Sequence, residues 1–222
     1  MCERYVIPDQ ERVEREFAPA ERWWKFTASF NVAAGSYVPV IRKHERETEG
    51  VMLRWGLIPA WAKGDAGKAD AAHATLRDIE HSAIFGDAWL EGRRCVLPFA
   101  GFYVWQLTAA RHRQPHFVWL VSRPVFAVAG IWDQSVTEED DVVQSCALLM
   151  VPANDLLASL GGSDARMPAI LSRDECEAWL RATPAQAKTL LRPYPGDLLL
   201  THPVSPRINS LRHNDALLMQ PL

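Results

Sequence analysis

This chain is short of the features that most quickly classify a protein. Its four cysteines, Cys2, Cys95, Cys146 and Cys176 in 222 residues, fall in no CxxC or CxH spacing, so neither a zinc site nor a disulfide framework is signalled. His112 and His116 stand four apart, but Pro115 between them argues against a helix presenting both to one metal. No apolar run approaches the roughly 20 residues of a membrane span. The opening MCERYVIPDQ carries Glu3, Arg4 and Asp9 where a secretory leader would be apolar. No internal repeat or low-complexity linker is present. Strong charge of either sign is missing as well: with a formal net charge of −3, any contact with nucleic acid must use a local basic patch rather than a global field. The expectation from these absences is a cytoplasmic protein with reduced thiols, no metal, no cofactor and no membrane partner.

What is present is ordinary globular material, 48% apolar and 23% charged. A chain of this length buries roughly two thirds to three quarters of its unfolded surface and needs no staples. VMLRWGLIP, RRCVLPFAGFYVWQL, PHFVWLV, PVFAVAGIWD and VVQSCALLMV are short runs rich in Val, Phe, Trp and Leu, broken by Pro, Gly and polar turns, which is the strand pattern. Helices come between these blocks. PDQERVEREF reads as an early helix with a charged outer face. SAIFGDAWLEG offers Ser82 as cap, Phe85 and Trp89 on one face and Gly92 as a stop. In LSRDECEAWLRA, Ser172 and Glu175 have capping-box spacing, with Leu171 placed to staple onto Cys176. Because helices do not alternate regularly with strands, the pattern predicts a mainly antiparallel α+β fold, and the continuity of strand blocks predicts one domain over 1–222.

Cys2 is the residue whose position could carry chemistry. On composition alone it is an ordinary second residue. With Met1 removed, it presents an α-amine of ordinary pKa about 7.7–8.0 and a thiol of about 8.5, both partly deprotonated near neutral pH. Such a pair attacks an aldehyde: the amine forms a Schiff base and the thiol closes a five-membered thiazolidine ring.

Behind MCERY follow, in order, FNVAAG (30–35), LRWGLIPAWAK (53–63), RRCVLPFAGFYVWQ (93–106), ARMPAIL (165–171) and HPVSPRIN (202–209). Together these blocks resemble the SRAP family, the SOS response-associated peptidase domain. That resemblance implies a β-barrel-like core with flanking helices. It also implies that Cys2, freed of Met1, crosslinks to the ring-opened sugar of an abasic site in single-stranded or junction DNA, as part of a DNA damage response. Family members are also described as autoproteolytic, so a self-processing cysteine peptidase is a second implied activity. A monomer is the expected state.

The family's helper groups transfer incompletely. Its GFYEW pattern is GFYVW here, so Val104 stands where a proton-transferring Glu belongs. Its NARxET segment falls on HATLRD, placing His73 at the Asn position, Thr75 at the Arg position and Arg77 at the Glu position. Asp164 occupies the His position two residues before Arg166, and Glu3 replaces the Gly that follows the nucleophile. One expectation is that His73 and Asp164 meet and replace the lost acid/base pair. The resemblance leaves Arg4, Asn31, Arg166 and His202 as DNA-contacting candidates, with Arg4 and Arg166 suited to phosphate by their guanidinium forks or else to structural ion pairs. Among the tryptophans, Trp61, after Pro59 in a predicted loop, is the candidate for base contact, while most others are expected in the core. A rival reading is a degenerate family member that binds DNA without covalent capture.

Overall fold

The structure is a computed structural model that describes residues 3–63, 71–77, 79–109, 112–162 and 164–222. Met1 and Cys2 therefore lie outside the described residues. In chain order the strands are β1 (Arg4–Ile7), β2 (Glu21–Arg22), β3 (Ser29–Val32), β4 (Tyr37–His44), β5 (Glu47–Trp55), β6 (His73–Thr75), β7 (Arg94–Phe99), β8 (Gly101–Leu107), β9 (Arg113–Leu120), β10 (Phe126–Val136), β11 (Val142–Pro152), β12 (Arg166–Pro168), β13 (Ile170–Leu171) and β14 (Leu199–Pro203). The helices are α1 (Gln10–Phe17), α2 (Gly86–Leu90), α3 (Asp155–Gly161), α4 (Arg173–Arg181) and α5 (Pro184–Leu190).

Five strands close on themselves. β11, β10, β7, β4 and β5 pair antiparallel in that order, and β5 returns to β11 through a parallel contact, Arg54 opposite Ser145 and Trp55 opposite Cys146. Closure leaves no unpaired edge on this ring. β7, RCVLPF, is buried along its whole length, as a strand covered on both faces must be. β10 is buried from Phe126 to Ile131, then alternates through Trp132, Asp133, Gln134 and Ser135 as it leaves the core. The antiparallel α+β fold expected from the strand blocks and the barrel-like core implied by the resemblance are both present.

A second antiparallel sheet runs β14-β9-β8-β1-β3. Strand alternation splits its side chains between two cores. Tyr5, Phe102, Val104 and Val118 join the main core, where Tyr5 stacks on Phe99 of the barrel with ring centroids 3.9 Å apart. Val6, Tyr103 and Phe117 pack on the opposite side with Val204, Ile208 and Leu218. Gly101 is required at the start of β8, because a Cβ there would lie 2.3 Å from Phe117 Cζ and 2.8 Å from the Val118 carbonyl oxygen.

Helix signals in the sequence are realised to different degrees. α1 starts where Asp9 accepts a hydrogen bond from the Arg12 amide at 3.0 Å, and it buries Val13. At α4 the expected capping box forms, with the Ser172 amide donating to Glu175 Oε2 at 2.8 Å, and Leu171 and Cys176 both pack on the main core. The helix expected over SAIFGDAWLEG is shorter than its signals. Ser82 Oγ accepts from the amides of Ile84 and Phe85, closing a turn, and only Gly86–Leu90 is α-helical. The side chain of Ser82 satisfies those amides locally, so the turn does not need to extend into helix.

Candidate active site

The site is built on the strands nearest the N-terminus. Two rows of side chains cross the second sheet. Arg4, Tyr103, Phe117 and His202 are successive partners from β1 to β14, and the next row holds Val104, His116 and Pro203. Glu3, the residue bonded to Cys2, is exposed and lies 3.8 Å from the Arg113 guanidinium on β9. Glu3 is the first described residue, so β1 begins beside the Arg113 end of β9. α3 packs over β8, and the chain after it leads through Asp164 into β12.

His116 is 9% exposed, and neither ring nitrogen has a hydrogen-bond partner among the described residues. Its cross-strand neighbours explain this: valine has no polar atom, and proline offers no N–H. The nearby Gln114 amide is committed to the carbonyls of Pro115 and Val204 at 2.9 Å each. Burial, reinforced by His202, lowers the His116 pKa below its ordinary 6.5, which keeps the imidazole neutral at physiological pH. Leaving a buried polar group unsatisfied costs about 1–3 kcal/mol, and such groups are rare in native proteins. The sequence reading considered His116 only as a metal ligand. Its signal was the alternation of RQPHFVWL, which sets His116 on the same face as Phe102 and Val104 once the β8–β9 register is known.

The expected site residues fall in four places. Cys2 lies outside the described residues. Arg4 is half-buried on β1, and burial pulls its guanidinium pKa down, opposed by Glu3. Trp61 is 50% exposed in a 3₁₀ turn after Pro59, its indole Nε1 donating to the Ala83 carbonyl at 2.8 Å. Arg166 is half-buried on β12, and its guanidinium has no ion-pair or hydrogen-bond partner among the described residues.

Asn31 and His202 instead hold the C-terminal segment. Asn31 is 5% exposed, and its Nδ2 donates to the carbonyls of Ile208, Ser210 and His213 at 3.2, 3.0 and 2.9 Å. His202 packs its ring against Trp119, with Nε2 2.8 Å from the Met219 carbonyl. Trp105 Nε1 donates to Asn209 Oδ1 at 2.9 Å.

His73 and Asp164 are not brought together. Met150 on β11 faces Thr75 of β6 on one side and Pro168 of β12 on the other. His73 pairs with Leu148, while Arg166 pairs with Pro152, four positions further along β11 and about 13 Å away by strand rise. Asp164 is exposed and lies beyond Arg166. His73 packs edge-on against Trp55 at 5.6 Å between centroids. The expected acid/base pair between the two has no support in the strand register.

The remaining cysteines are poorly suited to nucleophilic work. Cys95 and Cys146 are fully buried and their thiol pKa values are pushed up by that burial, while Cys176 is raised to about 11 for the same reason. Among the described residues no group of three His, Cys, Asp or Glu side chains is placed to hold a metal, and no helix is long and apolar enough to cross a membrane.

Comparison with known proteins places this geometry in a family. The chain is 28% identical over 229 residues to the abasic site processing protein YoaM of Bacillus subtilis, covering 99% of this chain and 97% of that protein. It is 28% identical over 230 residues to the abasic site processing protein HMCES of Rattus norvegicus, covering 86% of this chain and 64% of that protein. A crystal structure of a protein from Bacteroides thetaiotaomicron shares the fold over the full length of both chains, with a TM-score of 0.85 at 20% identity. Residues 1–211 match the family described as SOS response associated peptidase, SRAP, and the chain belongs to that family.

Proposed function

We propose that this protein captures abasic sites in single-stranded or junction DNA by forming a thiazolidine through Cys2 after Met1 is removed. The observation that carries this reading is one of elimination. Of the four cysteines, three are buried or half-buried with thiols held protonated, so thiol chemistry falls to Cys2. Relatives named as abasic site processing proteins support the substrate class. Trp61, half-exposed with its indole pinned, and Arg166, a guanidinium without a protein partner among the described residues, supply a base-stacking face and a phosphate contact.

A second reading is non-covalent DNA binding by a degenerate family member, favoured by Val104 at the position of the family's glutamate. Intact-mass spectrometry separates the two. The protein is incubated with single-stranded DNA carrying one abasic site, with Cys2→Ala as control. A heat-stable adduct that requires Cys2 and forms only on chains lacking Met1 supports covalent capture. Absence of adduct with retained DNA affinity establishes the binding-only reading.

A further inference from the structure

We infer that the cavity between the α2–β7 turn and the end of α4 is a binding site for a phosphate-type oxyanion, with Arg94 as its buried charge and Lys43 and Arg181 as the groups that reach the ligand. The site is independent of the proposed capture of abasic DNA. The cavity, about 460 Å³, lies within the range of roughly 300–1,000 Å³ typical of small-ligand sites. Lys43 of β4, Arg93 and Arg94 at the start of β7, and Arg181 at the end of α4 all line it. Glu91 is the carboxylate set against them, in a chain whose formal net charge is −3.

The state of Arg94 is what points to a ligand. It is 1% exposed, and its guanidinium donates to backbone carbonyls, Nε to Ala182 at 3.1 Å and Nη2 to Trp89 at 3.4 Å. It also lies over the rings of Trp89 and Trp179, 4.3 and 5.0 Å from their centroids. The two carbonyls supply dipoles rather than a neutralising charge, and Nη1 has no partner among the described residues. The other buried arginine is treated differently: Arg42 is held by Glu49 at 2.7 Å. Arg93, the neighbour of Arg94, is taken by Asp133 and Glu91. A buried guanidinium without a counter-ion is costly, and that cost falls when an anion enters the adjoining cavity. Burial pulls the Arg94 pKa down to about 10, which leaves it cationic at neutral pH.

The groups that touch the anion come from different elements. Lys43 is exposed on β4 and has no ion-pair partner among the described residues. Arg181 places Nε on Glu177 at 3.2 Å, an exposed pair one turn apart that gives way readily to a ligand. Glu91 is held by Arg93, which offsets its repulsion of an anion. One ammonium and one guanidinium beside a buried positive charge suit a tetrahedral oxyanion, whose several oxygens each accept charge-assisted hydrogen bonds. The same chemistry serves a backbone phosphodiester of DNA and a free phosphate.

The test uses the full chain. Binding of inorganic phosphate is measured by isothermal titration calorimetry and by the rise in melting temperature, with sodium chloride at matched ionic strength as control. Wild type is compared with Lys43→Gln, Arg181→Gln, the double variant and Arg94→Gln. Lys43 and Arg181 are exposed, so their variants keep the fold and decide the matter even where Arg94→Gln does not fold. The expected result is one phosphate per chain, bound about tenfold more weakly in each exposed single variant and lost in the double variant. Affinity for an undamaged single-stranded oligonucleotide, with and without phosphate, then separates the two sources. Competition by phosphate, with weaker DNA binding in the double variant, assigns the site to a backbone phosphate. Phosphate binding with DNA affinity unaffected assigns it to a free oxyanion. Absence of phosphate binding beyond the chloride control in wild type overturns the site, and so does binding that the double variant retains.

Discussion

Val104 and His116 are direct partners across the β8–β9 ladder, a branched hydrocarbon set against an imidazole whose two nitrogens meet no hydrogen-bonding atom of the described residues. That pairing costs stability, and the cost is measurable. Replacing His116 by Phe removes the desolvation penalty and keeps an aromatic ring in the space. The variant is expected to be more stable than wild type by about 1–3 kcal/mol at pH 8, read from urea unfolding. A variant that is less stable would show that the imidazole makes an interaction in solution that its present surroundings lack.

The same residue makes stability fall on the acid side. Its folded-state pKa lies below the ordinary 6.5, through burial first and His202 second, so the unfolded chain binds the proton more tightly. This contribution is complete above about pH 6.5 and is lost as pH falls below that value toward the lowered folded-state pKa. Wild type is therefore expected to lose more stability than His116→Phe between pH 7 and pH 5. Parallel pH dependences in the two proteins would remove His116 as the cause.

Asn31 is a hydrogen-bond donor to three carbonyls, and the sign of its side-chain dipole matters more than its size. Asn31→Asp places a buried carboxylate against three carbonyl oxygens, whereas Asn31→Leu only removes the donor, at about 1–3 kcal/mol. The Asp variant is expected to melt below the Leu variant at pH 8, and hydrogen exchange over 208–219 should accelerate in both. An Asp variant as stable as wild type would refute the clamp.

Gly101 is the position where β8 can least accept a side chain. In Gly101→Ala the new methyl meets the Phe117 ring, which can shift, and the Val118 carbonyl, which is fixed in the ladder. A loss of about 1–3 kcal/mol is expected. Phe117→Leu in the same chain should recover part of it, so the double-mutant cycle gives a non-zero coupling; strict additivity would mean the backbone carbonyl alone sets the strain.

DNA binding separates into stacking and charge. Trp61→Ala is expected to weaken binding to single-stranded DNA by about 1–3 kcal/mol, with the salt dependence preserved. Arg166→Ala should weaken it on any sequence and reduce the slope of log K against log salt by about 0.7. Titrations at several salt concentrations read both quantities; an unchanged slope would remove Arg166 from the phosphate contacts.

Much of the architecture was legible because its causes are local. The strand blocks of Val, Phe, Trp and Leu became β5, β7, β8, β9, β10 and β11, and the early charged helix became α1. The Ser172–Glu175 spacing formed its amide-to-carboxylate bond within one turn. The helix over 82–92 was overestimated for an equally local reason, since Ser82 caps a turn as readily as it caps a helix. The site was less legible. Motif order placed Cys2, Arg166 and Trp61 as candidates, but it also grouped Asn31 and His202 with them, and these two hold the C-terminal segment.

By itself, then, the sequence determined the alternation of strand faces, the caps, the position of a second-residue cysteine and the family pattern with its missing glutamate, because each is written within a few consecutive residues. Only the tertiary structure decided which strands pair and in what register. The parallel return of β5 to β11 closes the barrel without any local signal at Trp55 or Cys146. The β6–β11–β12 register separates His73 from Asp164, and the β8–β9 register sets His116 against Val104. Register follows from burying whole faces against distant partners, and a shift of one residue would turn His116 to the other side of the sheet.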